Sequence, residues 1–250
     1  VTVIHAGRVV DVESQKVLEN QSIFVKGDRI QEIRPTMGET VPTGATVIDL
    51  TKATVLPGLI DTHTHLLHEH DVRLGFGDTH LVGQVSQMGT TKRALFGVRS
   101  AREMLEAGFT TVRDLGNSGV NGDVALRDAI EAGWVPGPRM VVSTRAISLV
   151  GGQFDRLPVE GQSLVRQEYV EISGVEEARK AVRQAFFDGA DCIKIIVDVG
   201  VRMMSVEEIR AIVDEVHRVD RGGIRRAARG GTRGFGFGDP VGFGGRRGFD

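Results

Sequence analysis

The chain has 250 residues, a formal net charge of −2, 40% hydrophobic and 26% charged residues, and one cysteine, Cys192. That length holds one large domain, or a medium domain with a small one, and the composition is ordinary for a globular protein. The charge excludes bulk attraction to nucleic acid or acidic membranes, no apolar run approaches a membrane span, and a lone cysteine excludes an internal disulfide framework.

The opening VTVIHAGRVV lacks the charged-then-apolar shape of a signal peptide, and Val1 in place of Met fits a processed or trimmed start. The expected location is the cytoplasm, whose reducing conditions suit a free thiol. Residues 1–53 predict a small all-β unit. Short strands are expected at Thr2–Ile4, Val9-Val10, Ser22–Val25, Arg29–Ile33 and Thr46–Leu50. Gly7 separates the first two, and Lys26-Gly27-Asp28 marks a hairpin.

Next comes TVLPGLIDTHTHLL, from Thr54 to Leu67. Pro57-Gly58 interrupts an apolar run that Leu59-Ile60 resume, and the run turns polar at Asp61. An apolar run of this kind predicts a strand covered on both faces, as in a parallel sheet. Side chains alternate along a strand, so Asp61, His63 and His65 share one face while Thr62 and Thr64 take the other. Two imidazoles on one face at a strand end can reach one metal ion, and neutral imidazole is a common zinc ligand. The plainer reading makes both histidines satisfied core or loop residues.

Beyond the histidines the pattern alternates between helix and strand. His68, Glu69, His70, Gly75, Gly77 and His80 fall in a long polar loop, where His68 and His70 read as solvated residues or additional ligands. A helix is expected over Thr91–Ala107, stopped by Gly108, then a strand over Phe109–Asp114 and a helix over Val124–Glu131 closed by Gly133. A strand over Arg139–Ser143 follows, and then a long loop from Ile147 to Ser173. An amphipathic helix is expected over Val175–Phe187 and another over Val206–Val219, the latter with Ser205 and Glu208 as a capping box.

Between those helices, Asp191–Val197 is an apolar strand with Lys194 in its middle. Lysine is rarely buried without a partner, and desolvation favours its neutral amine. A neutral amine is a nucleophile that adds carbon dioxide to give a carbamate, or condenses with a carbonyl to give a Schiff base. The alternative is a lysine snorkelling from a strand end. Strands separated by helices and ending in candidate ligands point to a (β/α) barrel, whose active sites lie at the C-terminal ends of its strands.

PGLIDTHTH resembles the signature of the amidohydrolase superfamily, and its context is similar to the imidazolonepropionase-like branch, which includes metal-dependent Xaa-Pro dipeptidases. The resemblance runs from Val1 to Val219. It implies an α/β fold: part of a (β/α)8 TIM-type barrel over residues 54–220, preceded by half of a β-sandwich over residues 1–53. It implies hydrolysis of the C–N bond of a dipeptide or N-acyl amino acid by metal-activated water. Two divalent ions of the zinc type would be held by His63, His65 and Lys194, the last as a carbamate formed with carbon dioxide and counted as catalytic. Arg113 and Gln153 take substrate-binding roles, although the family often carries His where this chain has Gln153. Arg113 read without the family is a partner for Asp114 or a loop carboxylate, and Asp61 is a group behind the ligands. A homo-oligomer is also implied.

The family pattern continues with two histidine-ending strands and a proton-accepting aspartate, which have no counterpart after Val219. The expectation for this chain is therefore weak metal binding and slow or absent turnover. Residues 221–250 are roughly a third glycine, mixed with arginine and phenylalanine, a low-complexity composition. Either the reading frame breaks near Asp220, or this is a tail that binds single-stranded RNA by charge and stacking. The rival functions are thus a lysine Schiff-base lyase using Lys194 and a non-catalytic RNA-binding module.

Overall fold

The computed structural model describes residues 1–69, 78–154 and 156–221. Both accounts of the tail, apart from its first residue, and the readings of His70, Gly75 and Gly77, lie outside the described residues.

Four strands open the chain: β1 (Thr2–Asp11), β2 (Lys16–Lys26), β3 (Arg29–Pro35) and β4 (Thr46–Val55), in the order β3-β2-β1-β4. β1 pairs antiparallel with β2 and parallel with β4. The Gly27-Asp28 turn sets Lys26 opposite Arg29, as the hairpin signal predicts. Gly7 does not divide β1 in two. It sits at a register shift against β4, where a Cβ would lie 2.1 Å from Thr51 O, so the strand continues through a bulge that excludes any side chain.

After β4 the backbone at Gly58 presses directly on Thr110, whose Oγ1 would lie 2.0 Å from a Cβ there. β5 (Leu59–Thr64), β6 (Phe109–Asp114) and β7 (Arg139–Val142) then form a parallel sheet in that order. Helices α2 (Thr90–Glu106) and α3 (Gly122–Glu131) connect them. Leu67, Ala101, Val112, Leu126, Met140 and Val142 pack into the core between helices and sheet. Val112, Asp114, Met140 and Val142 are buried, while Arg113 between two of them is exposed, so one face of the sheet carries the helices. The expectation that β5 is covered on both faces is wrong: Leu59 is 42% and Ile60 65% exposed. Among the described residues β5 has only β6 as a neighbour, which leaves its other edge open.

Two stretches read as loop contain regular structure. Helix α1 (Asp78–Gln87) begins within the polar stretch that ended at His80. The span from Ile147 to Ser173 holds most of β8 (Ala146–Ser148), a 3-10 turn (Val159–Gly161), α4 (Gln162–Glu168) and β9 (Tyr169–Glu171), with β8 and β9 paired in parallel. α5 (Val175–Phe187) follows as expected. The strand expected over 191–197 is reduced to one parallel bridge, Ile195 to Ile147. Its backbone first meets β7, through Asp191 N donating to Val142 O at 2.7 Å, and then β8, through Ile147 N donating to Lys194 O and Ile196 N to Ile147 O, both at 2.9 Å. Thr144, at φ +60, kinks the chain between β7 and β8, so no continuous ladder forms along it.

The short strands β10 (Asp198–Val199) and β11 (Arg202–Met203) lead into α6 (Val206–Arg221), which packs on α5 through Ala178, Val182, Ala211 and Ile212. The capping box forms as expected: Ser205 N donates to Glu208 Oε2 at 2.8 Å and Glu208 N to Ser205 Oγ at 3.2 Å. No helix of the described residues is long and apolar enough to cross a membrane.

Candidate metal centre

Parallel strands β5, β6 and β7 end on one rim, and His63 and His65 stand together at the end of β5. His63 is the penultimate residue of β5, and His65 lies just past the strand end. Their rings stand edge to face with centroids 5.2 Å apart, so they occupy the same side of the strand end. His63 N donates to Asp61 Oδ1 at 3.0 Å, which makes Asp61 a brace for the backbone of the first histidine. His65 Nδ1 lies 3.0 Å from Gly116 O. A carbonyl oxygen only accepts, so in the neutral ring Nδ1 carries the proton and Nε2 is the nitrogen with the ligand-type electron pair.

Lys194 is half-buried and enters from the fourth segment of the rim. Partial desolvation, then the charges of Lys194 and Arg113, hold the His63 imidazole below its ordinary pKa, against the opposing pull of Asp61. The neutral imidazole that results is the form that binds metal. Arg113 is exposed, and its Nε donates to Thr62 O at 2.8 Å, anchoring the guanidinium to β5. It does not pair with Asp114. Adjacent strand residues face opposite ways, and Asp114 is buried on the helix side, accepting from Leu66 N at 2.6 Å and Ser118 Oγ at 3.0 Å. Gln153 is exposed, and its Oε1 accepts from Tyr169 OH at 3.2 Å.

The donor chemistry suits a borderline divalent ion: two imidazoles, one with its tautomer fixed, and a lysine amine close by. Among the described residues no three His, Cys, Asp or Glu side chains are grouped to hold a metal. A groove of about 530 Å³ runs along the open side of β5, lined by Asp61, His63, His65, His68 and Glu69 from the strand and its loop, with Arg99 and Glu103 from α2. His68, read from sequence as solvated or ligating, is 7% exposed. The loop after β5 folds back under α2, carrying Leu66 and Leu67 into the core and His68 with them. A larger cavity, about 590 Å³, lies around Val150, Leu157 and Arg202, and neither the histidines nor Lys194 line it.

Two buried arginines that sequence reasoning missed hold the rim together. Arg93 of α2 is fully buried, forms an ion pair with Glu168 of α4, and donates to the carbonyls of Leu67 at 3.3 Å and of Asn117. It thereby ties the loops after β5 and β6 to α4. Arg127 of α3 binds Gly189 O at 2.8 Å and Asp191 Oδ2 at 2.6 Å, fixing the approach to Lys194. Both arginines sit among helix charges, and nothing in their local sequence separates them from solvated neighbours.

Comparison with known proteins gives a consistent picture. The model of the amidohydrolase family matches residues 54–222. The chain is 26% identical over 252 residues to ochratoxinase from Aspergillus niger, across 88% of this chain and 49% of that protein. It thus spans about half the length of the curated relatives it matches. A solved prolidase complexed with N-methylphosphonate-L-proline is similar at 32% identity and TM-score 0.72, over 88% of this chain and 54% of that one. A Xaa-Pro dipeptidase with methionine bound in its active site is similar at 31% identity and TM-score 0.71, with the same coverage.

Proposed function

Because the chain belongs to the amidohydrolase family, we propose that it supplies the first four strands of a (β/α)8 barrel that hydrolyses a C–N bond of a dipeptide or N-acyl amino acid. The small β unit before it is read as half of a sandwich. In this reading His63, His65 and a carboxylated Lys194 hold divalent ions of the zinc type. The observation that carries it is the pairing of His63 and His65 on one side of the strand end, with rings 5.2 Å apart and His65 Nδ1 held 3.0 Å from Gly116 O.

The residues divide the work as follows. Lys194 Nζ, as the free amine, attacks carbon dioxide; an N–C bond forms, a proton passes to water, and the product is an anionic carbamate with two oxygen donors. His65 donates Nδ1–H to Gly116 O and so presents Nε2, while Asp61 braces the backbone amide of His63. When bound, the ions would acidify a water molecule and polarise the scissile carbonyl. Arg113, tethered at Thr62 O, offers its guanidinium to a substrate carboxylate. Gln153, with Oε1 engaged by Tyr169, keeps its amide N–H groups for the substrate.

The described residues offer only part of such a ligand set. The 250-residue chain by itself is therefore expected to bind metal weakly and to turn over slowly or not at all. Carbon-13 NMR in labelled bicarbonate, with zinc added, tests the reading. A carbamate resonance present in the wild type and absent in Lys194→Ala supports it. Borohydride trapping of a carbonyl substrate on Lys194, without any carbamate, would replace it with Schiff-base chemistry.

A further inference from the structure

The loop that carries His65 is bolted to the loop after β6 by one buried carboxyl group. Asp114 is fully buried at the end of β6. Its Oδ2 accepts from Leu66 N at 2.6 Å and lies 3.3 Å from Thr64 Oγ1, so it grips the residues on either side of His65. Its Oδ1 lies 3.0 Å from Ser118 Oγ, which in turn is 3.1 Å from Gly116 O. Gly116 O is the atom that meets His65 Nδ1 at 3.0 Å. A further bond, Leu115 N to Thr64 O at 3.0 Å, closes the same junction.

We propose that Asp114 is the positioning residue for His65, holding the Leu66 amide and the Thr64 hydroxyl on either side of the imidazole and, through Ser118, the carbonyl that sets its tautomer. The inference rests on the reading of His65 as a ligand only for its consequence, not for its geometry. A ligating imidazole needs its second nitrogen engaged so that the first points its electron pair in one direction. Here the engaging carbonyl belongs to a tight turn, with Gly116 at φ +95, and Ser118 is the side chain that contacts both that carbonyl and Asp114. A carboxamide in place of Asp114 still accepts from Leu66 N and donates to Ser118 Oγ, whereas alanine does neither.

The test uses the 250-residue chain and the variants Asp114→Ala, Asp114→Asn and Ser118→Ala. In metal-free protein, nitrogen-15 spectra of the imidazoles report the His65 tautomer. Wild type and Asp114→Asn are expected to hold the Nδ1–H form, and Asp114→Ala to show averaged tautomers, with Ser118→Ala intermediate. Zinc affinity, from competition with a chromophoric chelator, is expected to fall about 10- to 100-fold in Asp114→Ala and to stay within about threefold in Asp114→Asn. A wild-type tautomer in Asp114→Ala overturns the proposal. A lost tautomer with unchanged zinc affinity upholds the positioning by Asp114 and removes His65 from the ligand set. If Asp114→Ala does not fold, Ser118→Ala decides: a shifted tautomer supports the relay and an unshifted one overturns it.

Discussion

Lys194 and His63 come from opposite ends of the parallel array, yet the lysine charge is, after desolvation, the largest influence holding the His63 imidazole below its ordinary pKa. Removing that charge must therefore raise the pKa. In Lys194→Met, proton NMR titration in metal-free buffer without carbon dioxide, where the lysine is the cationic amine, is expected to place His63 higher than in wild type. Arg113→Met is expected to move it the same way by a smaller amount, since Arg113 ranks below Lys194 among the influences. A His63 titration unaffected by Lys194→Met would separate the two residues.

Stability should carry the mark of Asp114. Burial pushes its carboxyl up to about 7, with Asp123 adding to the shift and the bonds from Leu66 N and Ser118 opposing it. The folded state thus holds a proton that the unfolded chain releases near 3.8. The sign follows: this group's contribution is fullest below the unfolded value and is lost as pH rises through about 7. The loss is on the order of 4 kcal/mol as an upper bound. Urea unfolding of wild type against Asp114→Asn between pH 4 and 8 is expected to show the wild type losing ground to the variant as pH rises; a constant difference would contradict it.

The Arg93–Glu168 pair is 1% and 0% exposed at its side chains. Glu168→Gln leaves a buried guanidinium without its countercharge, a loss of about 3–5 kcal/mol. Arg93→Met/Glu168→Met is expected to recover only part of it, because Arg93 also satisfies the carbonyls of Leu67 and Asn117. Denaturant midpoints of the single and double variants check this.

Glu208 does more than cap α6, since its Oε1 also accepts from Gly174 N at 2.6 Å at the start of α5. Glu208→Ala should therefore cost more than Ser205→Ala, for which about 0.5–2 kcal/mol is expected. Equal losses in thermal unfolding would show that the bond to α5 contributes nothing.

Much of this architecture could be read from the chain alone. The stripes of α2, α5 and α6, the strand at β6, the hairpin at Gly27 and the Ser205–Glu208 box are local patterns, and local patterns survive folding. Contacts between distant segments do not announce themselves. Arg93 follows Lys92 in what reads as a solvated helix face, and its partner Glu168 lies in a stretch that reads as loop. Arg113-Asp114 suggests a neighbouring ion pair, but strand alternation sends the two to opposite faces. The apolar run into β5 states what a strand can bury, whereas Leu59 and Ile60 depend on what lies beside them. The sequence also pointed to His63, His65 and Lys194 as a set; the histidine pair at one strand end follows from the two-residue spacing, whereas the segment around Lys194 forms only one bridge to β8.

Zinc titration of the 250-residue chain in bicarbonate-equilibrated buffer, followed calorimetrically, reads whether His63, His65 and Lys194 hold an ion. Binding is expected to be weak but saturable, to be lost in His63→Ala and in His65→Ala, and to weaken in Lys194→Ala or when carbon dioxide is removed. Zinc binding that is absent from the folded wild-type chain, or indifferent to all three substitutions, would contradict that assignment.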